Sequence, residues 1–90
     1  MRGRGRPYHV TASGAVIAAG TAITLNVLNV NKAVSGGTAS LYNGKDNTGT
    51  LVGIVALDSV NSFFYDECFF DAGLYIALSG ASPDLTVSAS

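Results

Sequence analysis

Groups able to do chemistry at neutral pH are scarce in this chain. It has one histidine, His9, and one cysteine, Cys68. Nucleophilic catalysis needs a base held close to the nucleophile. His9 follows an N-terminal stretch that reads as extended, so it is read as a surface or interface histidine. Cys68 lies between Glu67 and Phe69. That acidic, aromatic setting is the opposite of the electropositive surroundings that make a thiol reactive. Cys68 is therefore read as an inert thiol of the core. Asp66, Glu67 and Asp71 have the types needed for a glycosidase carboxylate pair or a calcium site. Adjacent acids on a strand point to opposite faces, however, and a 90-residue domain has little room for a substrate cleft. They are read as solvated loop edges or partners for arginine. Asp46-Asn47-Thr48-Gly49 matches part of a calcium loop but lacks the alternating acids and the closing glutamate. No Cys/His cluster is available for zinc. The expectation is a chain with no catalytic residue, no metal and no cofactor, and not an enzyme.

The residues that do stand out are suited to contact. Arg2, Arg4 and Arg6 alternate with glycines at the N-terminus. From Pro7 onward two lysines face six acids, a net of −4, so a basic arm joins an acidic body. Three arginines release at most about three counterions from a nucleic acid, too few for firm binding. An acidic protein surface suits them better, since each guanidinium can pair a carboxylate in two-pronged fashion. Phe63, Phe64, Tyr65, Phe69 and Phe70 put five aromatics into eight positions. That exceeds one face of a strand, so some must lie at an interface. The residues expected to touch a partner are Arg2, Arg4, Arg6, Tyr8, Phe63 and Tyr65.

The elements that must carry these residues read as strands. No segment keeps apolar residues at helical spacing over ten positions. Period two recurs instead. Ile23, Leu25 and Val27 alternate with Thr24 and Asn26, and Leu28 and Val30 then fall on the other phase, which predicts a bulge near Val27–Leu28. Ala39 and Leu41, Leu74 to Leu78, and Leu85 and Val87 alternate likewise. Leu51 to Leu57 is apolar on both phases, as in a strand covered on both faces. Shorter candidates are Tyr8–Thr11, Ala15–Ala18, Ser62–Tyr65 and Cys68–Phe70. Turn chemistry divides the runs at Ser35-Gly36-Gly37, Asp71-Ala72-Gly73 and Ser79 to Asp84. Asn43-Gly44 either forms a tight hairpin or opens a longer loop ending at Gly49. The fold class is all-β: a small β-sandwich or jelly-roll-like barrel of about eight short antiparallel strands. Residues 1–7 form an extended basic arm and residues 8–90 a single sandwich domain.

The motifs Val34-Ser35-Gly36-Gly37-Thr38-Ala39-Ser40-Leu41-Tyr42-Asn43-Gly44 and Leu51-Val52-Gly53-Ile54-Val55-Ala56-Leu57 carry a resemblance. So do the stretch from Phe70 to Gly80 and the closing Asp84-Leu85-Thr86-Val87-Ser88. Together they resemble small β-sandwich virion proteins of tailed bacteriophages, which cement or decorate capsids or line the neck. The resemblance runs from about Ala15 to Ser90 and brings no catalytic residue with it. It implies a virion structural protein assembled in the bacterial host cytoplasm. The favoured role is a homotrimer that clamps neighbouring major capsid protein subunits.

Composition agrees with a partnered surface. Charged residues make up 12% of the chain, about half the usual share. One cysteine leaves no intrachain disulfide, so oligomerisation is the staple remaining for a domain this small. No apolar run approaches the ~20 residues of a helical membrane span. Met1 to Leu25 is a weak match to a secretory signal, because Gly20, Thr21 and Thr24 break its apolar part. The alternative functions are a receptor- or carbohydrate-binding module of a fibre or tail tip, and a neck or tail component. The absence of tryptophan weighs against sugar binding.

Overall fold

The computed structural model describes residues 6–18 and 20–90, and for Asp66 and Glu67 the backbone alone. It contains eight strands and no helix among the described residues. They are β1 (Arg6–Val10), β2 (Gly14–Ile17), β3 (Ile23–Val30), β4 (Thr38–Asn43), β5 (Thr50–Ala56), β6 (Asn61–Phe70), β7 (Leu74–Ser79) and β8 (Leu85–Ala89). Two four-stranded antiparallel sheets result, in the orders β1-β8-β3-β6 and β2-β7-β4-β5.

This order has a simple origin. β1 pairs with β8, β2 with β7, β3 with β6 and β4 with β5. The chain is thus one long hairpin whose tip is the β4–β5 loop. Rolling that hairpin brings β8 against β3 and β7 against β4, which completes both sheets. The product is a small sandwich with jelly-roll connectivity. Its pairings are mostly distant in sequence, the arrangement that makes β-sandwiches slow to fold.

The core lies between the sheets. One sheet supplies Val10, Leu25, Leu28, Val30, Phe70, Leu85, Val87 and Ala89, and the other Ile17, Ala39, Leu41, Val55, Leu74 and Ile76. The loop residues Val34 and Leu57 close one end, where Val34 N–H donates to the Leu57 carbonyl and Leu57 N–H to that of Gly37.

Irregularities decide which side chains enter the core. Against β8, β3 has one extra residue, Asn26, between Leu25 and Val27. The bulge lies just before the predicted Val27–Leu28. It reverses the alternation, so Leu25, Leu28 and Val30 are all buried. Ser62–Tyr65 and Cys68–Phe70 are one strand rather than two. In β6, Tyr65 to Glu67 lie opposite Asn26 alone, so β6 is bulged while the pairing with β3 continues on either side. Asn43-Gly44 opens the longer loop, because β5 begins only at Thr50.

Two expectations are corrected. The first strand begins at Arg6 rather than Tyr8, with Arg6 opposite Ala89 and Pro7 opposite Ser88. A proline is tolerated there because β1 is an edge strand. Leu51 to Leu57 is not covered on both faces: β5 is also an edge strand, and Leu51, Val52 and Ile54 are exposed.

Candidate assembly surface

The two sheets leave four edge strands, in two pairs. At one border β1 and β2 follow each other in the chain. At the other, β5 and β6 do, and the Tyr65 hydroxyl of β6 lies 3.8 Å from where a side chain on Gly53 of β5 would begin. Burial pushes the Tyr65 phenol above its ordinary value, with a smaller push from Cys68.

The two borders are defended differently. Exposed strand edges invite pairing unless they are short, charged or interrupted by proline. β1 has Pro7 and β2 is only four residues long. β5 has seven residues and β6 ten, with no proline in either; β5 has no charged residue, and this border is interrupted only by Asp66 and Glu67 in β6 and by a bulge in each strand.

The exposed large hydrophobics follow the β5/β6 border. Among the described residues, the exposed large hydrophobics are Leu51, Val52, Ile54, Val60, Phe64 and Phe69. All six lie between positions 51 and 69, on β5, β6 or the loop joining them. Scattered single apolar residues on a surface are ordinary, but six confined to one border are not.

The register explains which aromatics are exposed. Phe63 lies opposite buried Leu28, Cys68 opposite Leu25, and Phe70 opposite Ile23, so these three face inward. Phe64 lies opposite Val27 and Phe69 opposite Thr24, on the outer face, with exposures of 78% and 63%. Phe63 and Tyr65 were expected at a partner surface. Both are half-buried and pack against the core, and the outward positions on β6 belong to Phe64 and Phe69.

No known protein family, no characterised protein and no solved structure matches the chain. The surface is therefore read from its own geometry.

The remaining sequence candidates disperse. Arg2 and Arg4 lie outside the described residues, and Arg6 is exposed on β1. Tyr8 is half-buried and packed on the core. The side chains of Asp66 and Glu67 also lie outside the described residues. Asp71 is exposed and accepts a hydrogen bond from Asn43 Nδ2 at 2.8 Å, while Asn43 Oδ1 accepts from Ala72 N–H at 2.9 Å. That clamp joins two turns. Asp46 accepts from the Thr48 hydroxyl and N–H within its own loop, which lowers its carboxyl below the usual value. Among the described residues no three His, Cys, Asp or Glu side chains cluster as metal ligands would. Cys68 is a free, half-buried thiol. Sequence reasoning passed over Leu51, Val52, Ile54 and Val60. Their available signal was the charge-free run itself, which was taken for a buried strand.

His9 does have a partner. Its Nε2 lies 2.5 Å from Asp84 Oδ1, which also accepts from Asn31 Nδ2 at 3.0 Å. Asn31 in turn donates to the Thr86 hydroxyl at 2.8 Å. The group ties β1, β8 and the end of β3 together. The Asn31 hydrogen bond, followed by that from His9, holds the Asp84 carboxyl below its ordinary value. A carboxyl lowered on folding stabilises the fold above its unfolded pKa, about 3.9, and that contribution is lost as pH falls through the folded value. The melting-temperature gap between wild type and Asp84→Asn should therefore close as pH falls through the folded value of the carboxyl. A gap unchanged down to about pH 2 would mean the charge of Asp84 contributes nothing.

Proposed function

We propose that this chain is a virion structural protein, a cement or decoration protein that stabilises the head of a tailed bacteriophage by clamping neighbouring capsid subunits. The observation that carries this reading is that, among the described residues, all six exposed large hydrophobics are confined to the β5/β6 border of a jelly-roll sandwich. A surface of that kind is suited to a permanent assembly. Jelly rolls with this connectivity recur in viral capsids, although they also serve as lectins, so the fold alone supports the reading only by analogy. The sequence resemblance and the low charge density point the same way.

In this reading the protein performs no catalysis and works as a homo-oligomer, a trimer being favoured, on the virion. The basic arm reaches an acidic surface of the shell, and β1 anchors its base. Ordering each arm residue costs about 1–2 kcal/mol of backbone entropy. A charge-assisted hydrogen bond returns about 1.5–3 kcal/mol, and many copies per particle add avidity.

Two measurements test this. The protein should be present in purified virions at a copy number comparable to that of the main shell protein. A count that is a small fraction of it would favour a fibre, neck or tail role. Deleting residues 2–5 spares β1, so the fold should survive. Particle affinity should fall about tenfold or more, roughly one charge-assisted pair, and full-length attachment should weaken as salt rises. Wild-type loading by the truncated protein at high salt would remove the arm from the mechanism.

A further inference from the structure

We infer that the β5/β6 border of one copy docks on the β1/β2 border of a second copy, head to tail. This deepens the structural-assembly reading and rests on it. The contact it names has its own observations.

The first is charge. Residues 1–31 contain no acid, and β1 itself carries Arg6. Residues 50–70 contain no base, and that border's segment carries Asp58, Asp66 and Glu67. By charge count the β5/β6 segment is acidic and the β1 segment basic, so unlike borders attract and like borders repel.

The second is shape. The β1/β2 border is concave, with an open groove of about 490 Å³ lined by Pro7 to Ala12 and Gly14 to Val16. Small side chains such as Ala12, Gly14 and Ala15 leave this edge open to an approaching strand border.

The third is strand direction. Each sheet has four antiparallel strands, so its two edge strands run in opposite directions. A copy rotated about an axis parallel to the strands then lays its β1 antiparallel to β6, and its β2 antiparallel to β5. Both sheets can continue across one contact. Pro7 and His9 alternate with the inward Tyr8 and Val10, so they reach the same outer face as Phe64 and Phe69. Pro7 withholds one backbone donor, so side chains carry the contact at that position. Unlike borders meeting in this way form a ring if the rotation closes.

Complementary blocked variants test the inference. Ile54→Glu with Phe64→Glu removes the apolar contacts of one border, and Arg6→Glu with Ala15→Glu blocks the other; all four positions are exposed, and the two blocked borders repel each other. Circular dichroism and thermal melting first confirm that both variants are folded. Wild type should be oligomeric by light scattering and each variant alone monomeric. An equimolar mixture should form a 1:1 dimer that cannot grow, because only one unblocked border of each kind remains. If the Arg6→Glu/Ala15→Glu variant still self-associates and the mixture adds nothing, like borders pair and the inference fails. If wild type is oligomeric and neither variant affects it, the contact lies elsewhere while the assembly reading stands. A monomeric wild type at micromolar concentration overturns both.

Discussion

Phe70→Ala should remove a large share of the protein's stability. Phe70 is fully buried at the end of β6, paired across from Ile23 and packed between the sheets. Truncating a buried phenylalanine costs about 3–5 kcal/mol, the lost transfer energy together with the cavity left behind. A 90-residue domain has a total stability of roughly 5–13 kcal/mol. For a domain this size the loss corresponds to a melting temperature lower by more than about 12 °C. The neighbouring residue is the control. Phe69 points outward and is 63% exposed, so Phe69→Ala should change monomer stability by no more than about 0.5 kcal/mol. Chemical denaturation of both variants, at concentrations where each is monomeric, checks the pair. Equal losses would mean that the bulged register of β6 is misassigned.

Gly73→Val is expected to be nearly as damaging, for a different reason. Gly73 opens β7 with φ at +115°, a conformation that side chains rarely adopt. A Cβ there would lie 3.0 Å from the Ala18 carbonyl oxygen and 3.2 Å from those of Gly44 and Ile17. All three are backbone atoms, so no side chain can rotate away. Backbone strain of about 1–3 kcal/mol combines with an overpacking cost of similar size. Gly36 separates the two contributions. Its φ is +71°, but nothing lies within 4 Å of an added Cβ, so Gly36→Ala should cost only about 1–2 kcal/mol. Urea titration of both variants gives the comparison. A Gly73→Val protein as stable as Gly36→Ala would show that the end of β2 and the β4–β5 loop can move apart freely.

Little of the candidate surface was visible before the fold was known. Five aromatics in eight positions were too many for one face of a strand, and the structure exposes Phe64 and Phe69 while burying Phe70. Which ones are exposed depends on the partners of β6. Strict alternation would place Phe64 and Phe70 on the same face. The residues Tyr65 to Glu67 opposite Asn26 change the phase between them, so one is solvent-exposed and the other is core. A bulge of this kind is a property of two strands together, and neither sequence alone records it.

The charge-free run of β5 teaches the same lesson from the other direction. Apolar residues on both phases ordinarily mean cover on both faces. In the described chain only Val55 within β5, and Leu57 just after it, are buried, because in a two-sheet sandwich only one face of each strand meets the other sheet. Its hydrophobicity is consistent with cover supplied from outside the chain, which the blocked-border variants examine.

What the sequence determined by itself was local. Alternating apolar residues set the strands, and glycine, asparagine and aspartate turns set their ends, because backbone conformation depends on near neighbours. The uneven placement of arginines and acids was likewise legible without any structure. Only the tertiary structure decided that β1 joins β8 and that β5 and β6 form the same border. It also brought His9 to Asp84 across 75 positions of chain. Those pairings are settled by closing the whole hairpin over one shared core, a long-range free-energy balance to which any single strand contributes only a part.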